Sequence, residues 1–293
     1  MSITYACNLF GYNRQVYYRS KARVFQYQQR AEVVVSLVNA VRSKMPRLGG
    51  KKLYHLLECE LKELGIGRDK LFDILRTNHL LIKPKRQYHI TTKSHHRFRK
   101  HKNLIEGIEV SRPEEVWVSD ITYIGDKDHP QYLSLVTDLY SKKIIGHDVS
   151  ESLSVDGSAR ALKMALKRRR YKEKRLIHHS DRGLQYCSDE YQELLRSNKI
   201  ICSMTEQYDP YQNAVAERIN GILKQEFIQG TKLKNLELMK SLVKQSIKIY
   251  NTDRPHLSCH MHTPEYMHGQ SEVVIKTYRR KKPVENLNPL LVN

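Results

Sequence analysis

The chain has 293 residues, 40% of them hydrophobic, and carries 51 Lys and Arg against 31 Asp and Glu, for a net charge of +20. That length suggests more than one small domain, that apolar content fills ordinary cores, and the charge points to an anionic polymer as partner. No apolar run approaches a membrane span or the core of a signal peptide, and Cys7, Cys59, Cys187, Cys202 and Cys259 are scattered without a C-x-x-C pair, which argues against a disulfide framework or zinc site and for a reducing, cytoplasmic setting.

From residue 1 to 112 there are 23 Lys and Arg against 8 Asp and Glu, a balance of +15; the remainder, 28 against 23, adds +5. The basic excess therefore precedes the second part of the chain. Ile3 to Phe10, a Gly11-Tyr12-Asn13 turn and Arg14 to Arg19 read either as a short helix-turn-helix fragment or as a plain helical hairpin. From Ala31 to Met45, Val34, Leu37, Val38 and Val41 recur at helical spacing until Pro46. A helix with Leu53, Leu56, Leu57, Leu61 and Leu64 inward follows, with Lys51 and Lys52 at its start, and it stops at Gly65-Ile66-Gly67. A third spans Arg68 to Arg76 with Leu71, Ile74 and Leu75. The pair around Gly65 has helix-turn-helix form; a bundle that only braces the rest of the chain is the alternative.

Between Lys83 and Lys102 lie eight Lys and Arg, four His and no acid. Such a block repels itself and is expected to be an extended arm that orders on phosphates, through Lys83, Lys85, Arg86, Arg97, Arg99 and Lys100, rather than a merely solvated linker.

Strands are expected over Val116 to Ile124, Gln131 to Leu139 and Lys143 to Val149 from their β-branched and aromatic content. Ser154 is placed to cap a helix to about Arg170 with Val155, Ala159, Leu162 and Leu166 inward. A strand from Leu176 to Asp181, a helix from Ser188 to Ser197 and a strand at Ile200 to Cys202 come next. Tyr208 to Gln212 reads as a loop that closes on a ligand. At about 100° per residue, Val215, Ile219 and Ile222 form the apolar stripe of a helix from Asn213 to Lys224, with Asn213, Glu217 and Lys224 opposite. Leu236 to Tyr250 is a last amphipathic helix, suited to the core or to a second subunit, and Arg279 to Lys282 make a basic tail.

Three carboxylates thus stand in three kinds of structure: Asp120 mid-strand, Asp181 at a strand end and Glu217 on a helix face turned from its own packing. A trio of hard oxygen donors suits Mg²⁺ at a phosphodiester, where two ions about 4 Å apart stabilise the entering and leaving oxygens. Acids are usually solvated surface, and the spacing alone leaves that reading open. Asp138 is the strongest rival acid; Asp126 and Asp128 belong to a turn. His178 and His179 lack a third ligand nearby, so contact with phosphate or the site is expected for one and packing for the other.

The phrases VWVSDITYI, YLSLVTDLYSKKIIGHDVS, LIHHSDRGLQYCS, YDPYQNAVAERINGILKQEF and YNTDRPHLSCHMHTPEYM together resemble the catalytic core of bacterial insertion-sequence transposases of the retroviral-integrase superfamily, and their second-reading-frame product in particular. Sixty residues separate Asp120 from Asp181 and 35 separate Asp181 from Glu217, matching the family's acidic signature, and Lys224 matches its basic residue seven positions after the glutamate. The resemblance implies an α/β, RNase H-like mixed five-stranded sheet with helices on both faces, first and fourth strands adjacent, preceded by a small all-α helix-turn-helix-like DNA-binding domain. It divides the chain into a helical region 1–80, a basic arm 81–112, a core 113–268 and a tail 269–293.

It further implies a metal-dependent enzyme that cuts the ends of a mobile element and joins the 3′ hydroxyl to another phosphodiester. Asp120, Asp181 and Glu217 would hold two Mg²⁺ or Mn²⁺ ions, with Lys224 and Arg218 on double-stranded DNA beside them and Lys51, Lys52 and the arm gripping it further out. Implied partners are the element's terminal inverted repeats, target DNA, further copies of the chain and the first-reading-frame product; action alone and action within a longer fusion both stay open. A metal-dependent RNase H-like nuclease, which would cut without joining, and a DNA-binding regulator without catalysis are the competing classes.

Overall fold

The computed structural model describes residues 2–83, 101–125, 129–206, 212–231, 233–271 and 273. Lys85, Arg86, Arg97, Arg99 and Lys100 of the expected arm, Asp126 and Asp128, most of the loop at 208–212 and the basic run at 279–282 lie outside these residues.

Five helices come first: α1 (Ile3–Leu9), α2 (Arg14–Lys44), α3 (Gly50–Leu56), α4 (Glu58–Glu63) and α5 (Arg68–Thr77). The side chain of Asn13 caps α2, accepting from the Gln15 amide at 2.8 Å. The sequence predicts two separate helices here; instead α2 runs unbroken for 31 residues, because Ser20 to Arg30 contains no Gly or Pro and consists mostly of residues a helix tolerates well. The leucine-rich helix shows the reverse difference. It breaks at Leu57 (φ −105°, ψ 17°), which leucine spacing does not reveal because Leu53, Leu57 and Leu61 are buried on both sides of the break. Gly65, at φ 65°, ends α4 in the left-handed conformation that favours glycine.

The second half is an α/β sandwich. Strands β1 (Val116–Tyr123), β2 (Tyr132–Asp138) and β3 (Ile144–Ser150) form an antiparallel meander; β4 (Ile177–Ser180) and β5 (Ile201–Met204) add in parallel, giving the order β3-β2-β1-β4-β5. The first and fourth strands are neighbours, as the resemblance implies. Side chains of β1 alternate between two cores. Trp117 and Ile121 pack with α6 (Val155–Arg168), α7 (Leu184–Cys187) and α8 (Asp189–Ser197). Val116 and Val118 pack with Ile177 and with Ala216 of α9 (Ala214–Ile222) on the other face. At Gly146 of β3, a Cβ would stand 2.1 Å from the carbonyl oxygen of Ala161, so glycine lets α6 approach the sheet.

Helix α9 passes directly into a π-helical stretch, Leu223–Ile228, followed by α10 (Leu236–Thr252) and α11 (Pro264–His268). The α10 stripe of Met239, Val243, Ile247 and Tyr250 is buried against this chain's own core rather than left for a second subunit. One apolar cluster joins Val34, Leu53 and Leu75 of the helical region to Ile219, Phe227 and Val243, so the two halves share a continuous interior. Beyond the arm, the chain lies along the open edge of β5: the Lys102 carbonyl accepts from the Met204 amide at 3.2 Å, and the Leu104 amide donates to Ser203 Oγ at 2.9 Å.

Candidate active site

The parallel register of β1 and β4 builds the floor of the site. Val116 pairs with Ile177, Val118 with His179 and Ser119 with Ser180; one step further along both chains stand Asp120 and Asp181. Adjacent strands lie roughly 4.8 Å apart, and Asp120 keeps the parity of Val116 and Val118 on the sheet face that α9 covers. Asp181 is fixed at the strand end by an Asx turn, its Oδ1 accepting the Gly183 amide at 3.1 Å.

Helix α9 crosses this face with Ala216, Ile219 and Ile222 inward and Glu217 exposed. Two asparagines on α9 bind it to β1. Asn213, expected beside Glu217 on the outer side, is buried instead and donates through Nδ2 to the Ser119 carbonyl at 3.1 Å, anchoring the helix start. Asn220, also buried, donates through Nδ2 to Asp120 Oδ2 at 2.8 Å. Asn220 was missed in the sequence although its position, three after Glu217 and seven after Asn213, marks it as sharing their side of the helix.

Electrostatics ties the three acids together. Burial, then Asp181 and Glu217, push the half-buried Asp120 carboxyl up to about 8 against the pull of Asn220. Partial desolvation and Asp181 raise Glu217 as well. Like charges close enough to shift one another are held with oxygen donors only, the donor set a hard divalent cation takes. Among the described residues no three His, Cys, Asp or Glu side chains are already arranged to hold a metal ion. The residues fit the ion by charge and donor type.

The other acids and the histidines serve the framework. Asp138 is fully buried, accepting the Glu114 amide at 2.7 Å and both the amide and hydroxyl of Ser141 at 2.7 Å. His178 meets Ser119 Oγ at 2.8 Å and the Tyr191 hydroxyl at 3.0 Å; His179 meets Ser203 Oγ at 2.9 Å and donates to the Gln212 carbonyl at 3.1 Å. Burial pulls them down to about 3 and 4. Neither reaches phosphate, since alternation along β4 turns them to opposite faces where each is covered; the expected contact with the site survives only as the bond of His178 to Ser119, next to Asp120.

The basic residues divide. Arg218 is exposed next to Glu217, and Lys51 and Lys83 are exposed on the helical side. Lys224, half-buried on the π-helical stretch, sets its ammonium over the Tyr123 ring, 5.6 Å from the centroid. Lys52 corrects the sequence reading, in which it faced DNA. It points inward to Glu226, 3.6 Å away, and burial together with Arg254 lowers it to about 8. Glu226 in turn receives both arms of Arg254, Nε and Nη2, at 2.7 Å each. This cluster joins α3, the π-helical stretch and the segment after α10. No local pattern announces it, since its members are far apart in sequence.

The sequence matches the family described as Integrase core domain twice, over residues 110–210 and 198–264, which makes this half of the fold an integrase-type core. An uncharacterized 31 kDa protein of insertion element IS600 from Shigella sonnei is 30% identical over 256 residues, 85% of this chain and 92% of the relative. Transposase InsF for insertion sequence IS3A, from Escherichia coli (strain K12), is 32% identical over 248 residues, 84% of each. Among solved structures, the simian T-cell lymphotropic virus intasome in complex with PP2A regulatory subunit B56 gamma superposes at a TM-score of 0.47 and 20% identity, over 80% of this chain and 79% of that one. The chain belongs to the insertion-sequence transposases of the integrase superfamily.

Proposed function

We propose that this transposase cuts element ends and joins them to a second DNA site using Asp120, Asp181 and Glu217 as metal ligands. The observation that carries this reading is the β1–β4 register, which sets the two aspartates abreast beneath the helix bearing Glu217. Asp120 feels the charge of both other acids and Glu217 that of Asp181, which supports a shared site in which all three would hold the ions. When bound, a pair of Mg²⁺ or Mn²⁺ ions supplies charge stabilisation at the entering and leaving oxygens and a nucleophile at neutral pH.

The chain's own residues orient and hold. Asn220 holds Oδ2 of Asp120 and so orients its carboxylate. Water attacks the phosphodiester at the element end and frees a 3′ hydroxyl; that hydroxyl then attacks a phosphodiester of another duplex, one P–O bond exchanged for another at each step. No protein nucleophile is needed. Arg218 and Lys224 flank the site for backbone phosphates, and Lys51, Lys83 and the basic residues at 85, 86, 97, 99 and 100 extend the grip across the helical region, proposed as the DNA-binding part.

The test is cleavage and joining on a duplex carrying the element's end, with Mg²⁺ or Mn²⁺. Wild type should form joined product and Asp120→Asn, Asp181→Asn and Glu217→Gln none, while all four retain duplex binding. Joining by the Asp120→Asn protein would refute the assignment.

A further inference from the structure

We infer that the amino-terminal half of α2 is a docking seam for an amphipathic helix, carried by a partner protein and flanked by acidic side chains. The seam is visible as a continuation. Along α2 and its cap, Tyr17, Val24, Tyr27, Ala31, Val34, Val38 and Met45 stand three, four or seven positions apart, with Ser20 and the half-buried Val41 at the intervening steps, the spacing by which helices pair. The carboxyl-terminal part is covered: Val34 and Val38 are fully buried in the helical region's own core. Above them the same stripe is open, with Val24 52% and Tyr27 40% exposed, and Phe25 beside them 60% exposed. An apolar row that is core at one end and faces solvent for several turns at the other is an interface lacking its second side.

Charge decides what fits. Lys21, Arg23 and Arg30 border the open part, Arg14 and Arg19 lie above, and there is no acid from Arg14 through Ala31. A second copy of this chain would bring two such rows of cations together at the positions where paired helices need opposite charges. Phosphates would satisfy the cations but leave Val24, Phe25 and Tyr27 uncovered. An apolar helix edged with Glu or Asp satisfies both features.

The full chain is titrated, by fluorescence anisotropy, into two labelled synthetic helical peptides of four heptads, both with leucine at the seam positions, one with glutamate and one with lysine at the flanks. The acidic peptide should bind at least about tenfold more tightly than the basic one. The exposed double substitution Val24→Ser/Tyr27→Ser should weaken it by about tenfold or more with helicity and melting unchanged. Equal binding of the two peptides, or none, overturns the inference. Self-association of the unliganded chain that the same substitution abolishes overturns it in favour of a second copy, and loss of duplex binding in that variant overturns it in favour of DNA.

Discussion

Asn220 donates to Asp120 Oδ2 at 2.8 Å from one helical turn beyond Glu217, so the helix that brings the glutamate to the site also orients the aspartate. Both ends of α9 are tied to β1 through asparagine side chains, with Asn213 holding the Ser119 carbonyl. The carboxylates sit on a frame that resists sliding of helix over strand.

Replacing Asn220 with Leu removes the donor while keeping the bulk. Strand joining is expected to fall by about 10- to 100-fold, the usual effect of losing a group that orients a metal ligand, and the Mg²⁺ concentration for half-maximal rate should rise. A joining assay across a Mg²⁺ series reads both; an unchanged rate would show that the hydrogen bond positions nothing.

The raised Asp120 carboxyl has a pH signature. In the unfolded chain it ionises near its ordinary 3.8, whereas the metal-free folded protein keeps the proton until about 8. Its contribution therefore lowers stability progressively as pH rises from about 4 to 8 and is constant above. Asp120→Asn abolishes that slope, and the metal-free variant should melt higher than wild type at pH 8 by roughly 1–2 kcal/mol, a few degrees, once solvent screening of the half-buried group is allowed for. The gap should narrow at pH 5, and Mg²⁺ should stabilise wild type more than the variant, as read by thermal melts.

Arg254 is 1% exposed and grips Glu226 with two nitrogens. Arg254→Met leaves a largely buried carboxylate with Lys52 as its cation among the described residues and should cost about 3 kcal/mol or more in urea unfolding; removing both charges together should cost less than the sum of the single changes. Additive losses would mean that the pair is not coupled.

Two adjacent lysines should differ. Lys51 is exposed and Lys52 is committed to Glu226. Lys51→Ala should weaken duplex binding and reduce the slope of log affinity against log salt by about 1. Lys52→Met should leave that slope in place and lower the melting temperature. Equal salt slopes for the two variants would contradict the division.

Much of this protein was legible along the chain. β-Branched and aromatic content located β1, β2 and β3 to within a residue or two, Asp120, Asp181 and Glu217 stood out by their places in a strand, at a strand end and on a helix face, and five quoted phrases carried the family resemblance. Local pattern does this well because strand and helix periods are set by backbone geometry that neighbours in sequence share. It failed where long-range packing chose between locally equivalent options: α2 as one helix, the break at Leu57, the inward turn of Lys52 and the covering of His178.

By itself, the order of amino acids determined which residues could do the chemistry and the elements that would carry them, since side-chain type and periodicity are local properties. Only the tertiary structure decided the register of β4 beside β1, with Ser180 opposite Ser119, that Asn220 reaches Asp120, and that Glu226 is neutralised by Arg254 and Lys52. Those are contacts between residues up to 174 positions apart in the chain (226 − 52), and their register follows from which buried surfaces fit together, a quantity no single stretch contains.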